Sequence, residues 1–230
     1  TKRRDINFEK SLSKDFGSLN IGVIKNIEKL GINEDVINAY ETSKTVLTGL
    51  GHKLIEVDFS ELSSGICSYY VIAPAECSSN LSRFDGVKYG YRSEGEKDIA
   101  NLYMNTRSDG FGDEVKKRIL IGTHVLSAGF YDAYYLQAQK VRRMIKVKFE
   151  NFFKDVDLIF MPTTLDQAFE KNRKSDDPNR MYKEDLLTIP ANLAGLPAIS
   201  FPNGFKNNLP IGGQLIGKYF GEDLLLNTTN

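Results

Sequence analysis

The chain lacks most of the features by which a sequence declares a function. Thirty lysines and arginines are balanced by thirty aspartates and glutamates, the isoelectric point is about 6.7, and no basic tract is long enough to follow a phosphate backbone. This argues against dominant, direct nucleic-acid binding. No apolar run approaches the roughly 18 to 20 residues that cross a bilayer, and the opening TKRRDINFEK is not followed by an apolar signal core. The expectation is a protein that does not enter a membrane and works in the cytoplasm or in an organelle lumen of bacterial origin. Cys67 and Cys77 lie in an apolar, helical stretch without a CxxC pair or a nearby histidine, which argues against disulfide and zinc and for a reducing compartment. The chain opens on Thr1, as expected of a segment that begins inside a longer product, although processing also removes methionines.

Catalytic motifs are missing as well. There is no GxSxG elbow, no HExxH, no GxxxxGK[ST] loop and no GxGxxG opening a helix. His52 and His124 are the only histidines. Both are expected to be structural or exposed, because an imidazole without a placed partner is neither oriented nor tuned.

What is present is enough chain, 230 residues, to bury a substantial core, arranged in α/β order. LNIGVIK (Leu19 to Lys25) reads as a buried strand that opens the ordered region. From Asn33, Val36, Ala39, Tyr40, Val46, Leu47 and Leu50 approximate helical spacing up to Gly51. HKLIEVDF (His52 to Phe59) then alternates like a strand. Strand, helix and strand with short links form a βαβ-type unit, which favours a parallel or mixed sheet. Ser68 to Leu81 suggests a helix that starts or kinks at Pro74. Asp113 to Lys154 suggests two helices broken near Gly129. VDLIFMPTT is a compact strand, and a polar loop follows from Glu170 to Arg180. A short helix (Lys183 to Leu193) then leads to strands at Ala198 to Phe201 and Gly212 to Lys218, with Pro202 and Gly204 between them. Asp223 to Leu226 forms a helical turn too short to be stable alone.

Two local strings invite functional readings. GGQ (Gly212 to Gln214) resembles an oxyanion loop, but Ile211 and Leu215 flank it as in a strand, so a close-packed backbone is the better reading. Pro162, Thr163 and Thr164 stand at a strand's C-terminal end, where α/β sheets place binding loops.

Three longer strings are specific: YYVIAPAECSSNLSRFDGVKYGYRS from Tyr69, GFGDEVKKRILIGTHVLSAGFYDAYYLQAQKVR from Gly110, and YKEDLLTIPANLAGLPAIS from Tyr182. In order and approximate spacing they resemble the A subunits of the tRNA-dependent amidotransferases, a branch of the amidase-signature family, from about Ile21 to about Leu226. The resemblance implies the C-terminal half of one amidase-signature domain, a mixed β-sheet covered by helices.

It also implies an activity, glutamine hydrolysis by a Ser, cis-Ser, Lys triad, with released ammonia converting Glu-tRNA(Gln) or Asp-tRNA(Asn) to the amidated product. The triad lies in a glycine- and serine-rich stretch that this sequence lacks, so no catalytic residue is assigned here and the chain alone is expected to be inactive and poorly soluble. By motif, three residues carry over to substrate binding: Arg118 in EVKKRI for the glutamine α-carboxylate, Asp185 in YKEDLL for the α-ammonium, and Tyr69 in SYYVIAPAE at the pocket wall. Without the resemblance, Lys116, Lys117 and Arg118 read as a solvated helix face, Asp185 as a first-turn charge and Tyr69 as core. No cofactor is implied for this chain. ATP and Mg²⁺ are implied for a partner B subunit, which also makes most of the tRNA contact, and a small C subunit would pack across the A–B interface. PTTLDQAF departs from the family pattern at Asp166, which puts that loop's shape in doubt. The alternatives are another amidase-signature hydrolase of simple amides, or a non-catalytic binding fragment.

Overall fold

The computed structural model describes residues 7–95, 98–169, 171 and 183–229. It divides the chain into a first unit, Thr1–Ile66 with Arg142–Asn230, and a second, Cys67–Val141. Order begins earlier than the apolar pattern suggests, because a five-residue helix, α1 (Phe8–Leu12), precedes the first strand and is capped by the Asn7 side chain. Five residues are too few to show a period. The anchor of α1 is far away in sequence: Asn227 Nδ2 donates to the carbonyls of Ser11, Leu12 and Lys14 at 2.9 to 3.1 Å. The short C-terminal helix, marginal by itself, is stabilised by that anchor.

β1 (Asn20–Ile24), α2 (Glu34–Gly49) and β2 (Lys53–Val57) form the expected parallel βαβ unit, with Ile21 opposite Leu54. Asn33 caps α2 by accepting the Asp35 N–H at 2.9 Å. The helix is less amphipathic than its spacing suggested. Val36 and Tyr40 are buried, whereas Val46 and Leu50 are 56% and 69% exposed. β3 (Leu158–Pro162), buried along its length, adds in parallel on the other side of β1. β4 (Ala198–Lys206) and β5 (Leu209–Gly217) then extend the sheet antiparallel, giving the order β2-β1-β3-β5-β4.

The sequence reading ended β4 at Phe201, but the strand continues through Pro202 and Gly204. A register shift between those two residues absorbs the proline, and an edge strand tolerates the missing N–H. The helix expected over Lys183 to Leu193 is two elements, a 3-10 turn (Glu184–Leu187) and a helix. Pro190 sits in that helix's first turn and has no N–H to return to the Leu186 carbonyl, so one continuous helix cannot form. The polar loop expected at 170–180 falls, Lys171 apart, outside the described residues, as does Tyr182.

The second unit is helical. α3 (Gly65–Leu81) enters it and contains Pro74 in its interior, beyond its start. α4 (Ile99–Gly110), capped by Asp98, was not visible in the sequence pattern: its buried positions are Leu102 and Thr106, too few to establish a period. α5 (Asp113–Val125) and α6 (Leu136–Asp155) are the two expected helices, separated by Gly129 at φ +87° and a π-helical turn (Tyr131–Tyr135). α7 (Ile189–Ala194) and α8 (Glu222–Thr228) complete the chain in the first unit. No helix among the described residues is long and apolar enough to cross a membrane.

In the first unit's core, Tyr40 stacks on Phe160 at 5.1 Å between centroids and its hydroxyl accepts the Ile24 N–H at 2.9 Å. Burial pushes the Tyr40 phenol well above its ordinary value of 10.0, offset in part by that hydrogen bond. Tyr40→Phe strands a buried N–H and is expected to cost about 1 to 3 kcal/mol, read as a lower midpoint in urea. The raised folded-state value means that stability is intact below about pH 10 and falls above it, as the unfolded chain ionises first. The alkaline slope is therefore shallower in Tyr40→Phe than in the parent.

Candidate functional site

α3 and α5 meet closely in the second unit because one residue has no side chain. A Cβ on Gly122 would lie 1.9 Å from the Pro74 carbonyl oxygen and 2.7 Å from Ser78 Cβ. Glycine alone permits this approach, near enough for a Cα–H···O contact. Beside it, the Ser78 and Thr123 hydroxyls are paired at 2.9 Å. Roughly one helical turn earlier on each helix stand Arg118 and Tyr69.

The structure brings those two sequence-predicted residues together: the Arg118 guanidinium lies within interaction range of the Tyr69 hydroxyl. Its Nε–H also donates to Glu114 Oε1 at 3.0 Å, one turn back on α5. The Glu114 bond raises the Arg118 value, desolvation opposes it and the Tyr69 hydroxyl adds a smaller push upward, so the group stays charged at any accessible pH. The Arg118 side chain is 35% exposed, and its guanidinium keeps N–H groups beyond the one committed to Glu114, the donors a planar carboxylate requires. Tyr69 is half-buried, its ring edge-on to Tyr70 at 5.1 Å. Lys116 and Lys117 do form the solvated face that plain helix logic expects, pairing with Asp113 at 3.7 Å and Glu114 at 4.0 Å. The i, i+4 spacing of Glu114 and Arg118 is the one sequence signal for this pairing.

Asp185 belongs to the first unit, in the 3-10 turn Glu184–Leu187. Its carbonyl accepts the Thr188 N–H at 3.2 Å, which closes the turn ahead of α7. Gly195, in the left-handed region at φ +73°, ends α7, and Tyr219 donates its hydroxyl to the Ala194 carbonyl. Gln214, 3% exposed on β5, donates Nε2 to the Leu187 carbonyl at 3.0 Å and to the Pro162 carbonyl at 3.2 Å.

The GGQ string is strand, as expected. Added Cβ atoms would sit 2.9 Å from Thr163 Oγ1 at Gly212 and 3.0 Å from Asn203 Cβ at Gly213, so the backbone is packed against neighbours. Thr163, at the end of β3, pairs its hydroxyl with Ser200 at 2.8 Å. Asp166 has a defined role in its loop: Oδ1 accepts from Asn33 Nδ2 at 3.1 Å and from the Gln167 N–H at 2.8 Å, while the Leu165 carbonyl takes the Asn33 N–H. The acid ties the loop to the N-terminus of α2. His52 accepts the Leu19 N–H through Nδ1 at 3.2 Å, and His124 is exposed beside Phe130.

Two open cavities of the first unit, about 180 and 280 Å³, are lined by residues such as Phe149, Leu196 and Tyr219 or Asp58, Lys148 and Asn151, and neither includes Asp185. Among the described residues no group of three or more histidines, cysteines, aspartates or glutamates could hold a metal ion.

A protein-family comparison matches residues 2–226 to the family described as Amidase. The A subunit of the glutamyl-tRNA(Gln) amidotransferase of Hahella chejuensis is 51% identical over 220 residues, covering 96% of this chain and 46% of that protein. The crystal structure of the protein of the same name from Thermotoga maritima is 38% identical, with a TM-score of 0.67 over 91% of this chain and 40% of its own. A 6-aminohexanoate cyclic dimer hydrolase shares the fold at 20% identity and a TM-score of 0.70. The chain spans about half the length of the curated relatives it matches.

Proposed function

Since the chain belongs to the amidase family, we propose that it is the glutamine-recognising part of a glutaminase subunit in a tRNA-dependent amidotransferase. The observation that carries this reading is the Arg118–Tyr69 pair. A hydrolase of simple amides has no use for a committed guanidinium, whereas a free amino acid presents a carboxylate to hold. Sequence identity of 51% to the A subunit of an amidotransferase, over nearly the whole chain, supports the same choice.

In this reading Arg118 binds the α-carboxylate, Tyr69 adds a hydroxyl and an apolar ring edge, and Asp185 binds the α-ammonium. With both ends of the amino acid fixed, the side-chain amide has one approach to the nucleophile, and the positioning lowers the barrier by removing orientational freedom. The nucleophile belongs to the glycine- and serine-rich half. Its serine oxygen attacks the amide carbon, ammonia leaves with the relayed proton, and water then cleaves the acyl ester to give glutamate. ATP, Mg²⁺ and most of the tRNA contact belong to a B subunit, and a small C subunit bridges the two. Large exposed side chains such as Leu120 and Phe205, each 70% exposed, fit a chain that is covered by further protein.

The test is ammonia release from glutamine by this chain alone and together with the glycine- and serine-rich half. Activity is expected only in the combination. Activity in the lone chain, or a combination that cleaves simple amides and ignores glutamine, overturns the reading.

A further inference from the structure

We infer that Gln214 is the positioning residue for Asp185, an inference that rests on the glutamine reading above. β5 at this point is otherwise apolar: Leu215 and Ile216 follow Gln214 and both are buried. A primary amide in such a strand is costly unless its polar atoms are satisfied. Here both Nε2 hydrogens are used, one on the Pro162 carbonyl at 3.2 Å and one on the Leu187 carbonyl at 3.0 Å.

The two acceptors differ in kind. Pro162 is the last residue of β3, and the Met161–Gln214 and Pro162–Gly213 register holds it beside β5. Leu187 is the last residue of the 3-10 turn that carries Asp185. One side chain thus clamps a single 3-10 turn to the rigid sheet, two residues from the group that would bind the ammonium. The turn is also held on its apolar side, where Leu186 and Leu187 are buried, and Gln214 adds to that contact a directional bond to the sheet. Its own closing bond, Asp185 carbonyl to Thr188 N–H at 3.2 Å, is internal to the turn and sets no position relative to β5.

The consequence is specific. Losing the clamp displaces Asp185 and weakens the grip on the substrate's α-ammonium, while the carboxylate grip and the chemistry at the amide are left to other groups. In the full-length enzyme, Gln214→Met (similar length, no donor) and Gln214→Glu (same shape, acceptors facing two carbonyls) are each expected to raise KM for glutamine about tenfold, with a smaller loss of kcat. Two further readings separate positioning from mere folding. With glutaramate, which has the amide and the carboxylate but no α-ammonium, the Gln214→Met penalty should vanish. In a double-mutant cycle with Asp185→Asn, the second substitution should add almost nothing to the first.

Equal penalties on glutamine and glutaramate, additive effects in the cycle, or failure of both Gln214 variants to fold would each confine the residue to stability and overturn the inference. Asp185→Asn with an unchanged KM would instead sink the glutamine reading itself, whatever Gln214 does.

Discussion

Gly122→Ala is expected to be among the most damaging single-methyl substitutions in this chain. The added carbon would occupy a point 1.9 Å from the Pro74 carbonyl oxygen and 2.5 Å from its carbonyl carbon, both backbone atoms that no rotamer change can move. α3 and α5 must part. The hydroxyl pair of Ser78 and Thr123 opens with them, and the burial of Ile72, Ala75 and Val125 is reduced. Overpacking that forces backbone movement costs on the order of 3 kcal/mol, equivalent to a fall in Tm of roughly 6 to 12 °C for a chain of this size. The same separation draws Arg118 away from Tyr69, so weaker glutamine binding should accompany the lower Tm. Ser78→Gly does not rescue it, because the Pro74 contact remains. An alanine variant that melts with the parent and binds glutamine normally would show that the helices do not meet as described.

Periodicity made the sheet legible and left the helical unit partly dark, for identifiable reasons. β1 and β3 are runs whose side chains are apolar on nearly every residue, so burial on both faces is written in the composition, whereas β2 shows itself by alternation. α4 buries only two positions and α1 is five residues long, so neither has a period to read. The continuation of β4 through Pro202 and Gly204 was hidden because those residues ordinarily end strands, and only the register shift explains their tolerance. Of the proposed site, Arg118, Asp185 and Tyr69 come from family resemblance alone, since a lone arginine on a charged helix face has nothing local to distinguish it from Lys116 or Lys117. The residues packed around them were silent. Gly122 resembles any helical glycine until Pro74 is seen against it. Gln214 resembles a surface polar residue until its burial is known.

Arg118→Ala carries the second large effect, and it falls on binding alone. Arg118 and Glu114 are partly exposed, 35% and 56%, and a solvent-exposed i, i+4 pair contributes only about 0.3 to 0.5 kcal/mol, so Tm should hardly move. The substrate side is different. Removing a charge-assisted, two-bond grip on a carboxylate costs on the order of 3 kcal/mol, or a rise in KM for glutamine of about a hundredfold. Glu114 then faces the substrate carboxylate without its counter-charge, and Arg118→Ala with Glu114→Gln should recover part of the loss. Arg118→Lys keeps the charge and loses the fork, so its KM should lie between those of parent and alanine variant. 4-Aminobutanamide, which has the ammonium and the amide but no carboxylate, should be hydrolysed as poorly by the parent as by Arg118→Ala. A guanidinium that only braced Glu114 on the helix surface would leave the KM for glutamine unchanged in Arg118→Ala.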